Sequence, residues 1–137
     1  MCSIFTKIIK REIPGHFVYE DDVCVVLMDK FPAVEGQTLV IPKKEIDYIF
    51  DLPKEEYLHL WEVAEKIARA SDKAFEAKRT CIVVEGFEVP HAHIRLYPVP
   101  ETDKSLAEII KNPSEEPDEV LAEQATQLEA ALLELQN

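Results

Sequence analysis

The sequence lacks the features of a membrane protein and of a disulfide-stabilised secreted protein. No apolar run approaches the roughly 18–20 residues that a membrane-spanning helix needs. No apolar stretch follows Lys7, Lys10 and Arg11, as it would in a secretory signal. The three cysteines lie far apart and form no CxxC pair, which is typical of free thiols in a reducing compartment. We therefore expect a cytoplasmic protein with no membrane partner.

A basic surface stripe is also missing, because acidic residues dominate the chain. The net charge is −12, and residues 101–137 carry ten acidic residues but only two lysines. Such a chain is a poor candidate for nucleic-acid binding, so we expect no nucleic-acid partner. A few local donors still suffice to bind a small phosphate ester.

Apolar residues at every second position predict a sheet of about five strands between residues 15 and 98. The predicted strands are 17–20, 24–29, 38–41, 81–84 and 91–97. Strands this close in sequence usually pair antiparallel, and an amphipathic stripe predicts one long helix over 53–77 that covers the sheet. The predicted fold class is therefore α+β: an antiparallel sheet with one long covering helix, a short N-terminal helix and a C-terminal helix.

The composition changes after Pro100, which divides the chain into residues 1–100 and an acidic helical extension, 101–137. Apolar residues recur at near-heptad spacing in the extension, at Leu121, Ala125, Leu128, Leu132 and Leu135. We expect this stripe to pack on the same domain, and a partner helix is the alternative. The 137 residues suffice for one domain with a hydrophobic core.

Residues 89–98, VPHAHIRLYP, concentrate the polar chemistry of the chain. Successive side chains of a strand point to opposite faces. The face opposite the apolar residues would then carry His91, His93, Arg95 and Tyr97. Two imidazoles beside a guanidinium are suited to handling an anion, although a pair of histidines also arises by chance and then merely packs.

The predicted order of helices and strands resembles that of the histidine triad (HIT) family. Five blocks of sequence resemble the same family. The blocks are IFTKII and EIP within residues 4–14, YEDD at 19–22, LMD and Pro32 within 27–32, GQTLVIPKK at 36–44, and VPHAH at 89–93. The resemblance covers residues 3–98. It implies that residues 1–100 form a HIT-like nucleotide-binding domain with a five-stranded antiparallel sheet. It also implies a homodimer, a purine nucleotide or nucleotidyl conjugate as partner, and no cofactor.

The resemblance also implies roles for individual residues. His93 matches the middle histidine of the family's His-x-His-x-His signature, which attacks the α-phosphorus and forms a covalent nucleotidyl-histidine. His91 matches the first histidine, a supporting residue, and Asp29 matches the acid that binds the ribose hydroxyls. The implied apolar base pocket consists of Ile4, Phe5, Ile8 and Leu27. The role assigned to His93 agrees with its chemistry, because a neutral imidazole is a competent nucleophile toward phosphorus.

Arg95 replaces the third histidine of the signature. Arginine can hold a phosphate through two parallel hydrogen bonds but cannot give up a proton at ordinary pH, so we expect Arg95 to bind phosphate and not to act as a general acid. In the short loop before the histidines, Gly86 is expected to keep the phosphate-binding role of the family's glycine. Phe87 replaces a glutamine there, and the carboxylates of Glu85 and Glu88 would repel phosphate.

The zinc site of many bacterial relatives is incomplete in this chain. Ser3, Thr6 and Glu45 stand where those relatives have two cysteines and a histidine, which leaves only His91 of the four ligands. One ligand is too few for structural zinc, so we expect no metal.

Three functions are compatible with these residues. The first is a hydrolase of nucleotidyl phosphoramidate or phosphoanhydride substrates that acts through a nucleotidyl-His93 intermediate, with Arg95 holding the phosphate. The second is a nucleotide-binding protein that has lost turnover with the third histidine and the longer loop. The third is a nucleotidyltransferase, in which a second substrate replaces water.

Overall fold

The computed structural model describes residues 2–136 as a sheet packed against helices. The strands are β1 (Phe17–Glu20), β2 (Cys24–Met28), β3 (Thr38–Pro42), β4 (Arg79–Val83) and β5 (Ile94–Val99). They lie in the order β1-β2-β3-β5-β4, and every neighbouring pair is antiparallel. The predicted α+β class with a five-stranded antiparallel sheet is confirmed.

The helices are α1 (Ile4–Ile9), α2 (Lys54–Ala74), α3 (Leu106–Ile109) and α4 (Asp118–Gln136), and a 3-10 turn spans Ile49–Asp51. Helix α2 follows Pro53 and has two glutamates in its first turn, where negative charge stabilises the positive end of the helix dipole. Its buried apolar residues are Leu60, Val63, Ala64, Ile67 and Ala70. No helix within residues 2–136 combines the length and apolar character of a membrane span.

The C-terminal helix α4 shares its core with the sheet and α2. The residues of α4 in this core are Leu121, Ala125, Leu128 and Ala131. Gly36, which adopts a positive φ of 81° just before β3, donates its backbone N–H to Oε1 of Gln124 on α4 at 3.3 Å. Helix α4 is therefore packed against α2 and the sheet.

The other face of the sheet carries a smaller apolar cluster and positions the candidate site. The residues of this cluster are Phe5, Val25, Leu27, Leu39 and Ile41, with Ile8 and Ile9 of α1 packed against them. Leu39 lies directly opposite Arg95 in the register of β3 and β5. Because side chains alternate along a strand, Arg95 and Tyr97 lie on this face.

Strand β5 begins at Ile94, three residues after the predicted start at residue 91. Its register with β3 ends at the pair Val40 and Ile94. The backbone N–H of Ala92 donates to the Ile46 carbonyl at 2.7 Å, and that of His91 donates to the Val89 carbonyl at 2.8 Å. The predicted start is therefore wrong, because loop carbonyls take the N–H groups that β3 would otherwise bind. Both histidines lie on the segment leading into β5.

Candidate functional site

The ring of His93 is buried and held in one orientation by the backbone. Its Nδ1 lies 2.8 Å from the carbonyl oxygen of His91, and the edge of the Phe5 ring packs against it with centroids 5.0 Å apart. A carbonyl only accepts hydrogen bonds, so Nδ1 carries the proton and Nε2 of the neutral ring has a free lone pair. This is the tautomer that a nucleophilic imidazole needs.

The surroundings of His93 also keep its ring neutral. Burial is the main cause that lowers the pKa of His93 below the ordinary 6.5, and the positive charge of Arg95 lowers it further. The hydrogen bond to the His91 carbonyl acts in the opposite direction but does not prevail. Nε2 is therefore predominantly unprotonated at neutral pH.

His91 connects the end of β3 to the start of α1. Its Nε2 donates to the Pro42 carbonyl at 2.7 Å, so its Nδ1 must accept, and the hydroxyl of Ser3 lies 2.7 Å from that atom. Ser3 also caps α1 by accepting the backbone N–H of Thr6 at 3.1 Å. His91 is fully buried, and burial lowers its pKa. It therefore fixes the backbone carbonyl that orients His93.

Ser3, Thr6, Glu45 and His91 come together in one hydrogen-bonded cluster. The Thr6 hydroxyl donates to Oε1 of Glu45 at 2.7 Å, and the backbone N–H of Ser3 donates to the same oxygen. The Ser3 N–H bond is the main cause that lowers the pKa of Glu45 to about 2. Two neutral hydroxyls with one carboxylate and one imidazole do not fit a tetrahedral zinc site, which favours thiolate and imidazole ligands.

Asp29, directly after β2, is surrounded by protein donors. Gln37 Nε2 donates to its Oδ2 at 2.7 Å, and the backbone N–H of Phe31 donates to its Oδ1 at 3.0 Å. Arg95 Nε lies 3.3 Å from the same Oδ2. The sequence prediction missed Gln37, although its position directly before β3 and two residues before Leu39 was a signal.

The contact between Arg95 and Asp29 is an ion pair without a well-aligned hydrogen bond. Within residues 2–136, Arg95 Nε is buried and has no acceptor in hydrogen-bonding geometry, although it is close enough to Asp29 for a charge interaction. A buried donor without an acceptor is costly. The guanidinium is therefore held beside Asp29, close enough to His93 for its charge to act on that ring.

The residues of the predicted base pocket are only partly together. Phe5, Ile8 and Leu27 belong to the small apolar cluster under α1, and Phe5 also touches both histidine rings. Ile4, by contrast, is 48% exposed and lies outside that cluster. The structure thus brings three of the four apolar residues into one cluster, which touches the histidine rings through Phe5.

Gly86 lies in the loop between β4 and β5 with a positive φ of 79°. A Cβ there would meet nothing nearer than the Asp47 carbonyl oxygen at 3.9 Å, so the backbone conformation and not the available space favours glycine. Gly86 and His93 line the same cavity of about 140 Å³. The neighbouring Phe87 is almost fully exposed.

The fold is a five-stranded antiparallel sheet, and two buried histidines lie on the segment that leads into β5. These features define the histidine-triad class of α+β fold. The HIT domain family model matches residues 10–100. The chain therefore belongs to the HIT family, as its sequence blocks indicate.

Relatives support this assignment in sequence and in structure. An uncharacterized HIT-like protein of Methanocaldococcus jannaschii is 32% identical over 127 residues, 90% of this chain and 98% of that protein. An adenosine 5′-monophosphoramidase of Saccharomyces cerevisiae is 30% identical over 116 residues, 84% of this chain and 72% of that enzyme. A Hit-like protein involved in cell-cycle regulation from Bartonella henselae matches with a TM-score of 0.83 at 34% identity, over 94% of this chain and 95% of that one.

Proposed function

We propose that the chain hydrolyses nucleotidyl phosphoramidates and related phosphoanhydrides through a covalent nucleotidyl-His93 intermediate. The observation that carries this proposal is the hydrogen bond from His93 Nδ1 to the His91 carbonyl, because it directs an unprotonated Nε2 away from the backbone. The sequence relationship to an adenosine 5′-monophosphoramidase supports the same reaction class.

The reaction divides into two displacements at the α-phosphorus. First, the lone pair of His93 Nε2 forms a bond to phosphorus, the bond from phosphorus to the leaving nitrogen or oxygen breaks, and the leaving group takes a proton from water. Then water attacks the phosphorus, the bond to Nε2 breaks, a proton passes to solvent, and a nucleoside monophosphate is released. The His91 carbonyl stabilises the positive charge on the ring by accepting the Nδ1–H.

The remaining residues hold the nucleotide. The guanidinium of Arg95 and the backbone of Gly86 bind the phosphate, since charge that develops on the phosphoryl oxygens needs fixed donors. Asp29 binds the ribose hydroxyls at the end of β2. The apolar surface of Phe5, Ile8 and Leu27, with Ile4 at its edge, receives the purine base.

The direct test is incubation of the purified protein with adenosine 5′-phosphoramidate and a panel of nucleotides. We expect release of adenosine 5′-monophosphate and, after rapid acid quenching, a protein mass increased by one adenylyl group. Peptide mapping should place that group on His93. Nucleotide binding with neither product nor adduct would refute the hydrolase.

A nucleotide-binding protein without turnover is the second candidate function. The observation that favours it is Arg95, which stands in place of the third histidine and cannot protonate a leaving group. A transferase differs from the hydrolase only in the acceptor of the second displacement. Product analysis in the presence of sugar phosphates distinguishes that third candidate.

The pH dependence of turnover should report the ionisation of His93. The nucleophile must be neutral, so kcat/KM should fall to half of its plateau at a pH below 6.5, because the pKa of His93 is lowered. Arg95→Gln removes a neighbouring positive charge, so the pKa of His93 should rise and the acidic limb should move to higher pH. The measurement is a kcat/KM profile of both proteins, and an unshifted limb would contradict the coupling.

We also propose a homodimer formed through the outer edge of β4 and the surface beside it. Strand β4 is at one end of the sheet, and Ile82 and Val84 are exposed there. Phe50 is 64% exposed and packs edge-to-face against Tyr48 with centroids 5.2 Å apart. An uncovered strand edge beside exposed aromatic side chains favours association.

Phe50→Asp should weaken this dimer because it places a charge in the apolar contact. We expect sedimentation to give twice the chain mass of 15.7 kDa for the unaltered protein and a single chain mass for the variant at micromolar concentration. Leu133→Asp is the matched control, since Leu133 is equally exposed at 64% but lies on α4. A single chain mass for the unaltered protein would overturn the proposal.

A further inference from the structure

Three side chains that can ligate a metal meet on the α2 side of the sheet. They are Asp21 in the turn between β1 and β2, Cys24 at the start of β2, and His59 on α2. Each offers one ligand atom, a carboxylate oxygen, the thiol sulfur or a ring nitrogen, and these atoms lie within 4.8 Å of one another. Among residues 2–136 this is the one group of three or more histidine, cysteine, aspartate or glutamate side chains that meets so closely. Sequence spacing does not indicate it, because His59 stands 38 positions from Asp21.

The group is separate from the candidate functional site. Cys24 belongs to the core cluster shared with α2, whereas Phe5, which contacts His93, belongs to the cluster on the other face of the sheet. The expectation of no metal rests on the cluster around His91, which offers two hydroxyls in place of thiols. The group on the α2 side has a thiol, an imidazole and a carboxylate, so that expectation does not extend to it.

The backbone holds the Asp21 carboxylate in one orientation. Its Oδ1 accepts the N–H groups of Val23 and Cys24, each at 2.8 Å. Carboxylates that ligate metals are oriented in the same way, by hydrogen bonds from groups that do not touch the ion. The second oxygen, Oδ2, is therefore directed to the side chains around it.

Two protons converge on Oδ2 of Asp21. The Tyr19 hydroxyl donates to it at 2.7 Å, and Nε2 of His59 lies 2.6 Å from it. Burial acts to raise the pKa of Asp21, but the hydrogen bonds from Tyr19 and His59 outweigh it and lower that pKa. The carboxylate is therefore charged, and a cation bound to Oδ2 takes the place of the shared protons.

The thiol of Cys24 holds its proton in the metal-free protein. Cys24 is fully buried, and burial, followed by the charge of Asp21, raises the pKa of the thiol to about 12. A divalent cation removes the second cause by neutralising the carboxylate, and it favours the thiolate directly. On binding, the sulfur gives its proton to solvent and forms a bond to the metal.

We propose that Asp21, Cys24 and His59 form a binding site for a divalent transition-metal ion of the zinc class. Zn²⁺ and Co²⁺ accept thiolate, imidazole and carboxylate ligands together, whereas Mg²⁺ and Ca²⁺ are bound through oxygen. Water takes the fourth position, since Asp21 and His59 are partly exposed. Tetrahedral zinc places its ligand atoms roughly 3.3–3.6 Å apart, so the ring of His59, the most exposed of the three, moves to complete the site. The bound ion then links α2 to the β1–β2 turn.

The test is titration of untagged, chelator-treated protein with Co²⁺, whose bond to a thiolate sulfur absorbs in the near ultraviolet. We expect one ion per chain, a sulfur-to-cobalt band, and loss of the band when Zn²⁺ is added. Cys24→Ala should abolish the band, and His59→Gln should weaken binding at least about tenfold. The matched controls are Cys81→Ala, which removes a half-buried thiol, and His16→Gln, which removes an imidazole 3.1 Å from a carboxylate. Both should bind Co²⁺ as the unaltered protein does.

Thermal unfolding gives a second measurement that does not depend on the band. Zn²⁺ should raise the Tm of the unaltered protein, because an ion that binds the folded state stabilises it, and should leave that of His59→Gln unchanged. Absence of the band, or equal bands in the unaltered protein, Cys24→Ala and His59→Gln, would overturn the site. Loss of the band in Cys81→Ala would assign the sulfur to another residue and overturn it as well. If Cys24→Ala does not fold, His59→Gln decides, since its side chain is partly exposed.

Discussion

His93→Ala should reduce the turnover of adenosine 5′-phosphoramidate by at least about a thousandfold, because no other group can form the covalent intermediate. The affinity for adenosine 5′-monophosphate should remain nearly unchanged, since the proposed base and ribose contacts lie on Phe5, Leu27 and Asp29. The measurements are product release under saturating substrate and calorimetric titration with the monophosphate. The adenylyl adduct should be absent from the variant.

His16→Ala is the matched control for this experiment. His16 is a partly buried histidine outside the candidate site, and its Nε2 lies 3.1 Å from Oδ1 of Asp118. We expect its turnover to equal that of the unaltered protein. Equal catalysis by the unaltered protein and His93→Ala would refute the covalent role, and circular dichroism would establish that both variants are folded.

Leu128→Ala should lower the free energy of unfolding by about 2–5 kcal/mol, the range for truncating a buried leucine in a packed core. Leu128 is fully buried on α4 and shares a cluster with residues of α2 and the sheet. The lost contacts and the remaining cavity both contribute to the effect. Urea denaturation followed by circular dichroism measures it.

Leu133→Ala provides the comparison on the same helix. Leu133 is 64% exposed, so its truncation should change the free energy of unfolding by less than about 0.5 kcal/mol. If both variants were nearly neutral, α4 would not belong to the core and the domain would end near residue 100. A large effect of Leu128→Ala alone supports one domain that includes the extension.

The sheet and α2 were predictable because each repeats a simple pattern. Apolar side chains at every second position predict strands. The stripe of Tyr57, Trp61, Ala64, Ala68 and Phe75 predicts a helix with one buried face. The structure centres that face on Leu60, Val63 and Ile67 instead. The start of β5 was not predictable in the same way. The pattern at residues 91–93 alternates like a strand, but the N–H of His91 binds the nearby Val89 carbonyl and that of Ala92 binds the Ile46 carbonyl of a distant loop.

The polar partners in the site were the least predictable feature. The sequence resemblance assigns separate roles to Asp29 and Arg95, yet their side chains meet across β3 at 3.3 Å. That contact depends on the register of three strands and on Gln37 between them. Spacing within one strand carries no information about such a pair. The hydrogen bond of Ser3 to His91 likewise joins residues 88 positions apart.

The segment after α3 is bound to the loop that follows β2. The backbone N–H of Ser114 donates to the Pro32 carbonyl at 3.2 Å, and that of Glu116 donates to the Lys30 carbonyl at 3.1 Å. Both carbonyls lie within three residues of Asp29, so a truncation of the extension would leave this loop without two of its hydrogen bonds. Removal of the extension would therefore disturb the backbone beside the Asp29 carboxylate as well as the core under α4.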